Sequence, residues 1–334
     1  MNPQIDLQSK FFKDLVNHNG QRSIVDELME VLNLKRAAVY KRMNGDTAMT
    51  TAELICVADH FECSLDTMFF QDQFISFRHP FMQMPTTKSI DFLELISGYL
   101  ETLRSQQNSE LTYMANELPF FYYISRKYIF NFLLSIWNHL HWEEGALNIN
   151  ESARLDEAVA SFGKDITEYY DSHPVTEIWN SNMLSNLYQQ IIFCMTIRAF
   201  NDITFVEKLM LDIQNLIQHL KHIAVEGIRK SYGEKEQVDL KIYLNEFGNY
   251  LDIILYSGQN FQSTFIGFDY PQFIVTKSDR FYQYANQWMQ KIKKRSVLIS
   301  SEGLQLRELF FIKMEKDFND FKHRVDNLIK VYYE

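Results

Sequence analysis

The chain has 334 residues, 46% hydrophobic and 15% aromatic, with only 6 Pro and 11 Gly. That composition excludes wholesale disorder and points to two or three mainly helical domains. A net charge of −10 argues against a protein that coats nucleic acid without selectivity.

Taken in chain order, residues 4–17 form an amphipathic helix with Leu7, Phe11, Phe12 and Leu15 on one face. His18-Asn19-Gly20 ends it, and Ser23 is placed to cap a second helix that turns Ile24, Leu28 and Leu32 inward. Asn33 stands where the next turn needs a residue that tolerates positive φ. A third helix spans 35–43, with Val39 and Met43 pointing into a core, and closes at Asn44-Gly45-Asp46. Thr50 or Thr51 caps a fourth helix that buries Leu54, Val57, Ala58 and Phe61, and Ser64 caps a short fifth at 65–69. Residues 71–88 contain Pro80 and Pro85 and no helical period, and are read as a linker between domains.

From residue 89 the spacing predicts helices over 90–106, 118–142, 151–170, 175–200 and 202–229. The last carries a heptad seam of Val206, Leu209, Ile213, Leu216, Leu220 and Ile223, suited to a dimer interface or to an internal core stripe. Residues 253–257, 262–267 and 272–276 read as a small antiparallel meander. Helices return over 281–294 and 304–328, with a short strand at 296–299 between them. The fold class expected is therefore mainly α: a five-helix N-terminal domain over 1–70, then a larger helical domain over 89–334 with one small meander.

No cationic start followed by an apolar run opens the chain, and the most apolar stretch, 120–137, is interrupted by Arg126 and Lys127. Neither a secretion signal nor a membrane span is expected. Three cysteines at spacings that match no metal site read as free thiols in a reducing cytoplasm.

Residues 1–70 resemble the Cro and lambda-repressor-like helix-turn-helix family. The features that carry the likeness are five short helices, the core triplet Leu34, Val39 and Met43, the Asn44-Gly45 stop, and the Ser64-Leu65-Asp66 start. The likeness implies sequence-specific binding of double-stranded DNA by a homodimer. It implies that Arg36, Ala37, Tyr40 and Lys41 face base edges, and that Lys35, Arg42 and Asn44 lie near phosphates. Ala37 and Ala38 stand where the family often has polar residues, and Met29 stands where it has a small one. Read from the residues alone, Arg36 suits bidentate pairing with guanine and Lys35 and Lys41 suit phosphate. Residues 1–70 nonetheless carry −3 and the remainder −7. That acidity motivates an alternative: an interaction scaffold whose N-terminal bundle binds a protein.

Beyond residue 88 no family resemblance is evident. Domain order alone suggests a C-terminal region that dimerises and senses a small molecule or a peptide. Trp137, His139, Trp142 and Glu143 form a candidate effector pocket, since aromatic walls with a few polar groups suit small organic ligands. His219, His222 and Glu226 share a helix face, but a metal site needs a further ligand and none is evident. The segment GIRKSYGEK has the wrong spacing for a phosphate loop. Lys291, Lys293, Lys294 and Arg295 read as a solvated face. No catalytic motif or cofactor fingerprint is found, and the chain is not expected to be an enzyme.

Overall fold

The computed structural model describes residues 3–19, 21–61, 63–65, 74–80, 89–104, 109–142, 145–150, 157–230, 237–248, 251–259, 262–268 and 270–333. The chain divides into two compact units, residues 1–78 and 79–334, and the break falls inside the proline-bearing stretch 71–88.

The first unit contains helices α1 (Pro3–Asn19), α2 (Gln21–Val31), α3 (Arg36–Met43) and α4 (Thr51–His60). Phe11, Phe12, Leu15, Ile24, Val25, Leu28, Val39 and Val57 form its core, so every one of the four helices contributes. The α2–α3 turn is fixed by backbone bonding. Asn33 takes φ +49, its N–H donates to the Glu30 carbonyl, and the Leu34 N–H donates to the Met29 carbonyl. This is a Schellman closure with Asn in the left-handed position, and Leu34 and Met29 pack together in the same core. Asn33→Gly is therefore expected to be neutral. Asn33→Ala is expected to cost about 1 kcal/mol, because a Cβ without a local polar partner is disfavoured there. Hydrogen-exchange protection of the α2 and α3 amides checks both. Thr50 caps α4: its hydroxyl accepts from the Glu53 N–H, while the Glu53 carboxylate accepts from the Thr50 N–H. The expected fifth helix lies outside the described residues except for Leu65.

The second unit corrects the expected fold class. It is not a helical domain with a small meander but an α/β domain built on an eight-stranded mixed sheet. Its helices are α5 (Ser89–Arg104), α6 (Phe120–Ile124), α7 (Lys127–His141), α8 (Glu157–Asp171), α9 (Ser185–Thr196), α10 (Ile203–Glu226), α11 (Asp279–Lys294) and α12 (Leu304–Tyr332). Its strands are β1 (Glu110–Met114), β2 (Val175–Trp179), β3 (Ile228–Lys230), β4 (Gln237–Leu244), β5 (Ile253–Ser257), β6 (Gln262–Gly267), β7 (Phe273–Thr276) and β8 (Val297–Leu298). The order across the sheet is β3-β4-β2-β1-β5-β6-β7, with β8 paired to β4. β1, β2 and β4 run parallel, whereas β5, β6 and β7 continue the sheet antiparallel from β1. The meander foreseen at 253–276 is real, but it is the flank of a larger sheet. The helix expected over 175–200 is instead strand β2 followed by α9.

The two faces of the sheet are covered unequally. Leu111, Tyr113, Val175, Trp179, Leu240, Ile242 and Tyr256 pack into one core with α5 to α10 and α12. Met114, Ile178, Ile253 and Leu255 face the other way and meet α11 through Tyr282, Ala285 and Met289. The heptad seam is internal: Val206, Leu209, Ile213, Leu216, Leu220 and Ile223 are all buried within the domain. Side chains of this kind contribute roughly 1.5–3 kcal/mol each when fully buried, enough to explain so regular a stripe without a second chain.

Candidate functional site

Helix α3 is anchored by one buried residue, Val39, and offers its remaining surface outward. Ala37, Tyr40, Lys41 and Asn44 are exposed and spaced i, i+3, i+4 and i+7, which makes them one stripe. Lys35 and Arg36 are exposed at its start. Six of the seven residues expected to contact DNA are thus displayed together.

Arg42 is placed differently. Its side chain is 16% exposed, and Nη2 donates to Glu53 at 2.7 Å. Burial works to raise the Glu53 pKa, but hydrogen bonds from Arg42 and Thr50 outweigh it and hold the carboxyl below its ordinary value. Arg42 therefore ties α3 to the capping box of α4, and a phosphate contact from it would have to break that pair. Gln8 of α1 completes the clamp. Its Nε2 donates to the Arg42 and Thr47 carbonyls at 2.7 and 2.8 Å, and its Oε1 accepts from the Met49 N–H at 2.9 Å. Arg36 is also engaged, in an exposed ion pair with Asp26 of α2. An exposed pair of this kind is worth about 0.2–1 kcal/mol, so Arg36 is easily redirected.

The residues of the candidate effector pocket do not share a cavity wall. Trp137 is 2% exposed, in core contact with Phe92 and Tyr270 at ring-centroid distances of 5.8 and 5.7 Å. Trp142 is half-buried against Phe92 and His141. His139 is half-buried, while His141 is the histidine that meets the Tyr270 carbonyl, at 3.2 Å. Glu143 lies outside the described residues. A shallow groove of about 320 Å³ lies elsewhere, between α10 and α12, lined in part by Met210, Leu211, Phe318 and Val325.

His219, His222 and Glu226 are exposed on α10. Among the described residues no set of three His, Cys, Asp or Glu is placed to hold a metal. Within GIRKSYGEK, Gly227 is the left-handed cap of α10 and residues 228–230 form β3, while the rest lies outside the described residues. Lys291, Lys293 and Lys294 occupy the last turn of α11, where cations complement the helix dipole.

One polar cluster escaped the sequence reading. Glu177 lies in the middle of β2 and is fully buried. Its carboxylate accepts from the Tyr122 and Tyr170 hydroxyls, each at 2.7 Å, and from the Trp179 indole N–H at 2.6 Å. Arg229, 3% exposed, lies over the Tyr170 ring at 4.3 Å, donates to the His173 carbonyl at 2.8 Å, and approaches Asp171 at 3.6 Å. Burial, then the Glu177 charge, pushes both phenols well above their ordinary range, so both keep their protons and donate. Its signal was the lone carboxylate in the strand-like run Val-Thr-Glu-Ile-Trp.

The carboxyl ends of the parallel strands carry a second polar zone. Asn180 Nδ2 donates to the Asn116 carbonyl at 2.9 Å, which joins the loop after β2 to the loop after β1. Glu246, just past β4, accepts from the Ser181 N–H and hydroxyl at 2.9 and 3.1 Å. Asn186 Nδ2 donates to Glu117 at 2.7 Å. Comparison of the chain with known protein families, with curated proteins and with solved structures found no match.

Proposed function

We propose that the protein is a sequence-specific DNA-binding transcriptional regulator that acts as a homodimer in the cytoplasm. In this reading α3 of the first unit enters the major groove, and the second unit dimerises and responds to a small effector or a peptide. The observation that carries the reading is the exposed stripe Ala37, Tyr40, Lys41 and Asn44, with Lys35 and Arg36 at its head, on a helix fixed by the α2–α3 turn. Arg36 and Lys41 supply guanine readout and phosphate contact, Tyr40 offers a ring edge, and Ala37 suits a thymine methyl. A dimer sets two such helices about one turn of DNA apart, which compensates for the few base contacts each makes.

Selection of the full-length chain against a random duplex library at two salt concentrations tests this. Enrichment of a two-fold-symmetric sequence, with affinity that falls as salt rises, is the expected outcome. Absence of both enrichment and salt dependence would overturn the reading. The Arg36–Asp26 pair and the net acidity of residues 1–70 favour one second reading, in which the same face docks a protein. No helix among the described residues is long and apolar enough to cross a membrane.

A further inference from the structure

We infer that the carboxyl edge of the sheet, where β1 ends and β5 begins, binds a small organic cation: a primary ammonium held between Glu117 and Asp252, with the Tyr123 hydroxyl as a third oxygen. This inference concerns the second unit alone and stands independently of DNA binding by the first.

The register creates the site. Met114 of β1 pairs with Ile253 of β5, so Asp252 comes opposite Ala115 just past the end of the pair. By strand alternation Tyr113, Glu117 and Asp252 belong to the face that carries the large helical layer. β1 is also the strand at which the sheet changes from parallel to antiparallel. Ligands of open α/β sheets bind outside the carboxyl ends of strands.

The charge balance there is incomplete. Glu117 and Asp252 are both half-buried. Burial, then the charge of Glu117, pushes Asp252 up to about 7, and only the Asn116 backbone opposes it. Burial raises Glu117 as well, opposed by the Asn186 amide. No cation acts on either carboxyl. The Tyr123 hydroxyl is buried, lacks any hydrogen-bond partner, and lies within the field of both carboxylates. A buried hydroxyl left unpaired in this way opposes folding unless something else satisfies it.

The Tyr270 ring lies in the same field, and aromatic faces of this kind attract cations. Gly267 keeps the space clear: a Cβ there would lie 3.0 Å from the Asp252 Cβ. An ammonium group has three N–H donors for the three oxygens, whereas a hard metal ion calls for more oxygen ligands than two carboxylates supply.

Isothermal titration of the full chain with 1,4-diaminobutane and with phenethylamine, beside magnesium and calcium chloride, tests the inference. One-to-one binding of at least one amine is expected. It should weaken by about tenfold or more in Glu117→Gln and in Asp252→Asn, and severalfold in Tyr123→Phe. All three variants should melt at or above the wild-type temperature, because each removes a group that the empty site leaves unsatisfied. Four outcomes would each overturn it: no amine binds at millimolar concentration, only the metals bind, the variants bind as the wild type does, or all three variants unfold.

Discussion

Glu177→Ala is expected to destabilise the second unit by about 3–5 kcal/mol, more than any other single substitution proposed for this chain. The carboxylate is fully buried and accepts from Tyr122, Tyr170 and Trp179. Removing it strands three donors and leaves the buried Arg229 facing only Asp171. Glu177→Gln separates charge from hydrogen bonding. Both tyrosines donate to one oxygen and the indole to the other, so an amide can keep the tyrosine pair only by turning its NH₂ toward Trp179. Trp179→Phe should then relieve part of the Gln penalty, with a coupling of about 1 kcal/mol or more between the two positions. All four tryptophans, Trp137, Trp142, Trp179 and Trp288, belong to the second unit, so intrinsic fluorescence during urea unfolding follows this unit alone, through the other three in the Phe variants. A loss below about 1 kcal/mol in Glu177→Ala would mean that water reaches the cluster and satisfies it.

The same residue explains why the fold class was misread. In β2 the side chains of Val175, Glu177 and Trp179 turn toward the helical layer and Ile178 turns away. A buried carboxylate in the middle of five residues erases the alternation by which a half-buried strand is recognised. β1 is equally short, and α6 follows it closely, so local periodicity had little to act on. Where the sequence is long and regular it was legible: the α10 seam, the meander of β5 to β7, and the four helices of the first unit all fall close to where spacing placed them. The α3 stripe was legible because outward residues need only helical spacing and one buried anchor. Arg42 was not, since its partner Glu53 lies eleven residues away on another helix. Glu117 and Asp252 were invisible for a stronger form of that reason: only the β1–β5 register brings them to one edge. The aromatic run at Trp137 and Trp142 did signal burial, but burial of a core rather than the walls of a pocket.

Arg36→Ala combined with Lys41→Ala is expected to weaken specific DNA binding by roughly two orders of magnitude while leaving tryptophan fluorescence and melting of the second unit unchanged. The loss divides by type. A bidentate Arg–guanine contact discriminates by about 1–3 kcal/mol and its removal relaxes specificity at one base, whereas removal of a phosphate-contacting lysine lowers the salt slope by about one. Asp26 sets the sign of a companion test. Its carboxylate holds Arg36 in the free protein and would oppose an approaching phosphate backbone. Asp26→Asn should therefore tighten binding by up to about fivefold, the range that an exposed ion pair can supply. Arg42→Ala behaves differently again. It leaves Glu53 without its guanidinium partner and loosens α3 from α4, so hydrogen-exchange protection of both helices should fall along with affinity. If the α3 face instead docks a protein, the Arg36/Lys41 pair of substitutions leaves DNA affinity untouched. The three variants together then separate a groove-reading helix from a protein-binding one, because only the former predicts opposite effects from removing Arg36 and from freeing it.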